Sequence, residues 1–202
     1  MTTDETRKLA LDALKLVRDC KITLRDQAVV DAAIAAIEQY KPVVRMLTDR
    51  LWIDTEFNEF RGELISIAIV DERGREFYEV LPPPLVGYGP WVAQNVVPIL
   101  NKEAITRTEL QAKLHAFLAG YESAHLIADW PEDIEHFLKL LIVGPGQRIG
   151  PDRWTMEVRR DLPNTADVSR IPHNALEDAK ALRACHLLRD AEVWGLTIGE
   201  HG

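Results

Sequence analysis

The sequence predicts an α/β fold in which a mixed sheet is flanked by helices and preceded by an N-terminal helical hairpin. Three observations carry this expectation. Between residues 51 and 81, three runs rich in β-branched and aromatic residues are joined by short connections. From residue 90 to 189, helix-capping signals alternate with short apolar runs. The first 45 residues instead repeat apolar side chains at helical spacing. A meander of strands followed by alternating helices and strands suits a mixed sheet covered by helices.

The elements follow in order. Thr3-Asp4-Glu5 caps a helix carrying Leu9, Leu11, Leu14, Leu16 and Val17. Thr23-x-x-Asp26 opens a second, through Val29, Val30, Ala33, Ile34 and Ile37 to about Tyr40, and Lys41-Pro42 ends it. This hairpin, residues 1–45, reads as a packing or oligomerisation appendage, and its two apolar stripes predict a homodimer. A second domain, residues 46–202, follows. Its first strand is Leu51 to Phe57, its second Glu63 to Val70 and its third Glu76 to Leu81, with Asp71-Glu72-Arg73-Gly74 as the turn between the last two. Pro82-Pro83-Pro84 opens a loop through Gly87 and Gly89, and Pro90 suits the first turn of a helix with Trp91, Val92 and Val96. Thr106-x-x-Glu109 is a capping box for a helix to Phe117, with Gly120 placed to cap its C-terminus. His125 to Ala128 is a short buried strand, and Pro131 and Glu132 open a helix through Leu141. Trp154 to Val158 reads as another strand and is followed by a polar loop. Asn174-x-x-Glu177 caps a last long helix, to about Arg189.

Composition narrows the class. A chain of 202 residues allows one compact domain and an appendage. With 47% hydrophobic and 28% charged residues, wholesale disorder is excluded. The longest apolar run, Leu64 to Val70, is interrupted by Ser66 and is far too short for a bilayer, so no membrane role is expected. The polar start predicts no signal peptide. Cys20 and Cys185 lack Cys-x-x-Cys spacing, which predicts two reduced thiols and a cytoplasmic protein. The net charge of −8 argues against nucleic acid at first sight. Its location alters that reading. Residues 51–144 carry fifteen acidic and seven basic side chains, a net −8 equal to the whole excess. Clustered carboxylates repel unless something neutralises them, and a divalent cation is one candidate.

Three constellations carry chemistry. Asp54 and Glu56 are two apart on the first strand, so they share a face while Thr55 points to the other. Two carboxylates on one face of a buried strand are costly unless paired or metal-bound. In His125-Leu126-Ile127-Ala128-Asp129-Trp130-Pro131-Glu132-Asp133, an apolar strand runs into an acidic turn. Glu132 and Asp133 suit a helix N-terminus, where the dipole favours anions, but that does not account for Asp129 at the strand end. In Pro172-His173-Asn174-Ala175-Leu176-Glu177-Asp178, Asn174 is the N-cap. His173 and Asp178 then occupy the facing positions of a hydrophobic staple, with an imidazole and a carboxylate where two apolar groups are usual.

In that order, Asp-x-Glu, Asp and His-x4-Asp, this set resembles the DEDDh branch of the 3′→5′ exonucleases, which have a ribonuclease H-like fold. The resemblance covers about residues 50 to 190. Ile53-Asp54-Thr55-Glu56-Phe57 with Glu63-Leu64-Ile65-Ser66-Ile67 looks most like the small exoribonucleases of the mycobacterial RNase AS type. Gly74-Arg75-Glu76-Phe77-Tyr78, Trp91-Val92, Asn95-Val96 and Pro98-Ile99-Leu100 point the same way. The resemblance implies metal ligation by Asp54, Glu56, Asp133 and Asp178, with His173 as general base. For the middle acid, Asp133 is favoured and Asp129 is the alternative. Related enzymes often carry an amide or small residue at the strand end and an aromatic just before the aspartate, where this chain has Asp129 and Glu132.

The chemistry agrees with the residue types. Two divalent ions about 4 Å apart can clamp a phosphodiester, activate water and stabilise the leaving oxygen. All-oxygen ligands suit Mg²⁺ or Mn²⁺ better than zinc. An imidazole, with its ordinary pKa of about 6.5, can take a proton near neutral pH. Phe57 is a candidate for stacking on terminal bases, with a core role equally open. Arg148, Arg153, Arg159, Arg160 and Arg170 are candidates to track phosphates, although acidic residues interleave with them. The expected reaction is release of nucleoside 5′-monophosphates from RNA 3′ ends. The preference for RNA, and any leaning toward adenylate, rests on the resemblance. The rival readings are a 3′→5′ exodeoxyribonuclease acting on DNA ends and a non-catalytic nucleic-acid-binding module on the same fold.

Overall fold

A computed structural model of the chain describes residues 49–193 together with Asp31, with side chains described to Asp190. The hairpin expected over residues 1–45 lies outside the described residues, so the unit from Thr48 onward is described by itself.

Its centre is a five-stranded mixed sheet. The strands are β1 (Asp49–Phe57), β2 (Leu64–Asp71), β3 (Glu76–Val80), β4 (Ser123–Ala128) and β7 (Arg153–Val158), in the order β3-β2-β1-β4-β7. β1–β2 and β2–β3 are antiparallel, while β1–β4 and β4–β7 are parallel. This is the expected meander extended by parallel strands, an α/β arrangement consistent with a ribonuclease H-like fold. The described helices are α1 (Pro90–Asn95), α2 (Arg107–Leu118), α3 (Pro131–Leu141), α4 (Thr165–Val168) and α5 (Ala175–Val193). A two-stranded hairpin, β5 (Ile142–Gly144) with β6 (Gln147–Arg148), follows α3.

Period-two alternation along the strands sorts the layers. Leu51 and Ile53 of β1 join Ile67 and Ile69 of β2 in one core, against Leu110, Leu114 and Leu118 of α2 and Phe137 and Leu140 of α3. The opposite face carries Trp52, Ile127, Ala68 and Val70, which pack on Ala175, Ala179 and Leu182 of α5. Small residues let α5 lie close to the sheet on this side. α1 and a 3₁₀ turn, Val97–Ile99, close the end of β2 and β3 through Ile65, Val80, Val92, Val96 and Leu100.

Local signals account for most boundaries. Thr106 accepts from the Glu109 amide while Glu109 reaches back to the Thr106 amide, so the capping box of α2 forms on both sides. Gly120 does not cap the C-terminus of α2. Ala119 does so in right-handed geometry, and a left-handed glycine cap is not used. Just beyond α3, Gly144-Pro145-Gly146 forms the turn of the β5–β6 hairpin, with Gly146 at φ +68°. The expected polar loop before His173 contains the single-turn α4, capped by Asn164.

Candidate active site

The site is built where β1 outruns β4. Pairing between these parallel strands extends to Trp52 opposite Ile127, yet β1 continues to Phe57. Beyond that point the β4 side of β1 has backbone donors without a strand partner. α3 starts there, and Asp133 in its first turn fills the gap. Its Oδ1 accepts from the Thr55 amide at 3.0 Å and from the Thr55 hydroxyl at 2.6 Å. A strand edge that would otherwise be orphaned thus orients the carboxylate.

Asp54 and Glu56 lie on the α5 face of β1, as alternation requires. Asp178, in the first turn of α5, meets them there, and its Oδ2 accepts from the His173 amide at 2.9 Å. His173 has φ +66°, and Trp91 abuts its ring edge-on at 4.9 Å between centroids. Asn174 anchors the turn by donating to the Ile99 carbonyl at 2.7 Å.

The candidate residues fall into two adjoining groups. Glu56, His173 and Asp178 bring one donor atom each within 4.8 Å of one another, and so do Asp54, Asp129 and Asp133. All four favoured carboxylates, the alternative Asp129 and the imidazole are therefore brought together. Asp129 sits at the end of β4, with its Oδ2 accepting from the Thr165 hydroxyl at 2.8 Å. Glu132 turns away to other donors, the Arg61 amide and the Trp130 indole N–H. Phe57 packs on the ring of His136, with centroids 5.1 Å apart.

The electrostatics are those of carboxyls crowded together and removed from solvent. Asp54, Asp133 and Asp178 are 8%, 2% and 4% exposed. Burial drives the Asp54 carboxyl well above the ordinary range, and the neighbouring Asp133, Glu56 and Asp178 add to the rise. Burial likewise lifts Glu56 to about 8, with Asp178 and Asp133 contributing. Asp133 rises to about 8 by burial, against the opposing pull of the Thr55 hydrogen bond. Asp178 is raised by burial as well. One buried oxygen on each of Asp54 (Oδ2), Asp133 (Oδ2) and Asp178 (Oδ1) has no hydrogen-bond partner among the described residues. Unpartnered carboxylate oxygens converging in one pocket fit a hard divalent cation, which satisfies oxygen lone pairs and offsets the repulsion together.

Two curated proteins match this chain. A 3′-5′ exoribonuclease of Mycobacterium tuberculosis strain H37Rv is 34% identical over 165 residues, covering 72% of this chain and 96% of the relative. The 3′-5′ exoribonuclease of strain CDC 1551 matches to the same extent. The chain belongs to this 3′-5′ exoribonuclease family. No family model matches it.

Within this family member, Thr55 and Trp91 touch site residues that the sequence does not link to them. Thr55 had a usable signal, since it lies between the two strand carboxylates and is β-branched with a hydroxyl. Its bond to Asp133 spans 78 positions, which spacing alone does not reveal. Trp91 is likewise distant from the histidine it abuts. The exoribonuclease-family chain has no helix, among the described residues, long and apolar enough to cross a membrane.

Proposed function

We propose that this chain is a divalent-metal-dependent 3′-5′ exoribonuclease of the DEDDh type, releasing nucleoside 5′-monophosphates from RNA 3′ ends. One observation carries the reading: three buried carboxylates, each with an oxygen unpartnered among the described residues, converge with the half-buried Glu56 beside an imidazole, in a member of the exoribonuclease family. Asp54, Glu56, Asp133 and Asp178 would hold Mg²⁺ or Mn²⁺ ions, two in the two-metal-ion mechanism, which when bound supply Lewis acidity toward phosphoryl oxygens and attacking water.

The protein's own groups do the rest. His173 takes the proton of the attacking water at a ring nitrogen, close to Glu56 and Asp178. Its backbone bond to Asp178 and the edge of Trp91 fix the ring before substrate arrives. Thr55 holds Asp133 in one orientation and leaves Oδ2 toward the pocket. The buried setting excludes bulk water and strengthens each electrostatic contact. Asp133 is the middle acid in this reading, because its second oxygen is buried and has no partner among the described residues.

The test is 3′-end shortening of single-stranded RNA, with DNA of the same sequence alongside, in Mg²⁺ or Mn²⁺. Asp54→Ala and Asp178→Ala should abolish product, and His173→Ala should slow it by roughly 10²–10⁴-fold. Asp133→Asn should be as damaging, and more so than Asp129→Asn. No shortening of RNA or DNA with either metal would sink the catalytic reading, and shortening of DNA alone would sink the choice of RNA.

A further inference from the structure

Two exposed aromatic side chains flank Glu132, one position before Asp133, and each carries an arginine. Phe60, in the β1–β2 loop, is 77% exposed, and the Arg61 guanidinium lies 5.0 Å from its ring centre. Trp130, between Asp129 and the start of α3, is 43% exposed, and the Arg160 guanidinium lies 4.7 Å from its ring centre. One carboxylate joins the pairs. Glu132 accepts from the Arg61 amide at 3.1 Å through Oε1 and from the Trp130 indole N–H at 2.9 Å through Oε2.

The display of these side chains is imposed by backbone structure. Glu59 and Arg61 both adopt positive φ, at 62° and 58°, which disfavours non-glycine residues. Gly62 admits no side chain, since a Cβ there would lie 1.5 Å from the Asn58 carbonyl oxygen. The Asn58 side chain clips the loop to the Gly87 carbonyl and the Gly89 amide. On the other side, Arg160 donates to the Asp129 carbonyl at 3.1 Å, which ties its guanidinium to the strand end that bears a pocket carboxylate.

The charges are selective. Arg148 pairs with Asp152, Arg159 with Asp161 and Glu157, and Arg170 with Glu177. Neither Arg61 nor Arg160 has a carboxylate ion-pair partner among the described residues. Both project from a segment of the chain whose net charge is −8 or from its immediate neighbour in space. Their charge is thus available to a polyanion's phosphates beside the two aromatic rings. Aromatic faces with accompanying guanidinium groups are how proteins hold single strands without reading sequence.

We propose that Phe60–Arg61 and Trp130–Arg160 form a platform for the RNA segment on the 5′ side of the scissile phosphate. Bases stack on the rings or guanidinium planes, and the two arginines neutralise backbone phosphates. This deepens the proposed exonuclease function and rests on it for the position of the scissile bond.

The experiment is steady-state kinetics on a dinucleotide and on a longer single-stranded RNA, with anisotropy of the labelled longer strand as a direct binding measure. Trp130→Ala and Arg160→Gln should raise KM for the longer RNA roughly tenfold, with the loss on KM rather than kcat. Phe60→Ala should act on the longer RNA and spare the dinucleotide, and Trp130→Phe should keep most of the affinity. Removing Arg160 should reduce the slope of log affinity against log salt by about 0.7. Phe60 and Arg160 are exposed, so their variants should fold. Unchanged KM, anisotropy and salt slope in both would overturn the platform while wild-type cleavage left the exonuclease reading standing. If the wild type binds RNA without cutting it, the exonuclease reading fails, and the anisotropy of the same variants still decides the platform.

Discussion

Thr55 spends both of its polar hydrogens on one oxygen of Asp133. That leaves the other oxygen of Asp133 buried and without a partner, turned to the pocket shared with Asp54 and Asp129. Partners behind a ligand typically change metal affinity by about 10–100-fold when removed. Thr55→Val keeps the shape and the amide bond but loses the hydroxyl. It should weaken Mn²⁺ binding about tenfold in a calorimetric titration, and Thr55→Ser should restore most of the affinity. Equal affinities in wild type and Thr55→Val would show that the hydroxyl does not set the carboxylate. At this scale the sequence was informative about the clustered side chains themselves. Period-two alternation put Asp54 and Glu56 on one face, and the cap at Asn174 put His173 opposite Asp178. It was silent on Thr55, because the bond joins two distant segments and neither residue's neighbours encode it.

Elements with strong local chemistry were legible to within a residue or two. The Thr106 capping box starts α2 where expected, and Pro131 starts α3. The elements that escaped are short ones held by tertiary contacts: the β5–β6 hairpin, the 3₁₀ turn at Val97–Ile99 and α4. Each has too few residues to display a period. α2 matters because Leu110, Leu114 and Leu118 all face the sheet and are fully buried. Leu114→Ala should cost about 2–5 kcal/mol in urea unfolding, from lost transfer energy and the cavity left behind. Activity per folded molecule should persist, since the pocket lies at the far ends of β1, α3 and α5. A loss of activity with no loss of stability would contradict that separation.

For the molecule as a whole, the acidic pocket ties stability to pH and to metal. Unfolded, its carboxyls return to the ordinary range near 4; folded, Glu56 and Asp133 hold their protons up to about 8, and Asp54 and Asp178 are raised as well. Between those limits the native state binds more protons than the unfolded state, so stability falls as pH rises. In chelator, the melting temperature should drop from pH 5 to pH 8, less steeply for Asp133→Asn. Mn²⁺ should raise it more at pH 8 than at pH 6, because more carboxylates are then free to ligate. A metal-free melting temperature that is flat or rising over this range would refute the linkage. The net charge that first argued against nucleic acid lies within residues 51–144, the segment that supplies Asp54, Glu56 and Asp133 to the pocket. Asp133 reaches the notch beside β1 because three residues separate it from Asp129, which directly follows β4, on a turn that leads into α3. An inserted or deleted residue there would swing the carboxylate off the Thr55 edge even with every side chain kept. The length of this stretch therefore seats the carboxylate as much as its side chains do, whereas the turn at Gly144-Pro145-Gly146 positions no pocket residue.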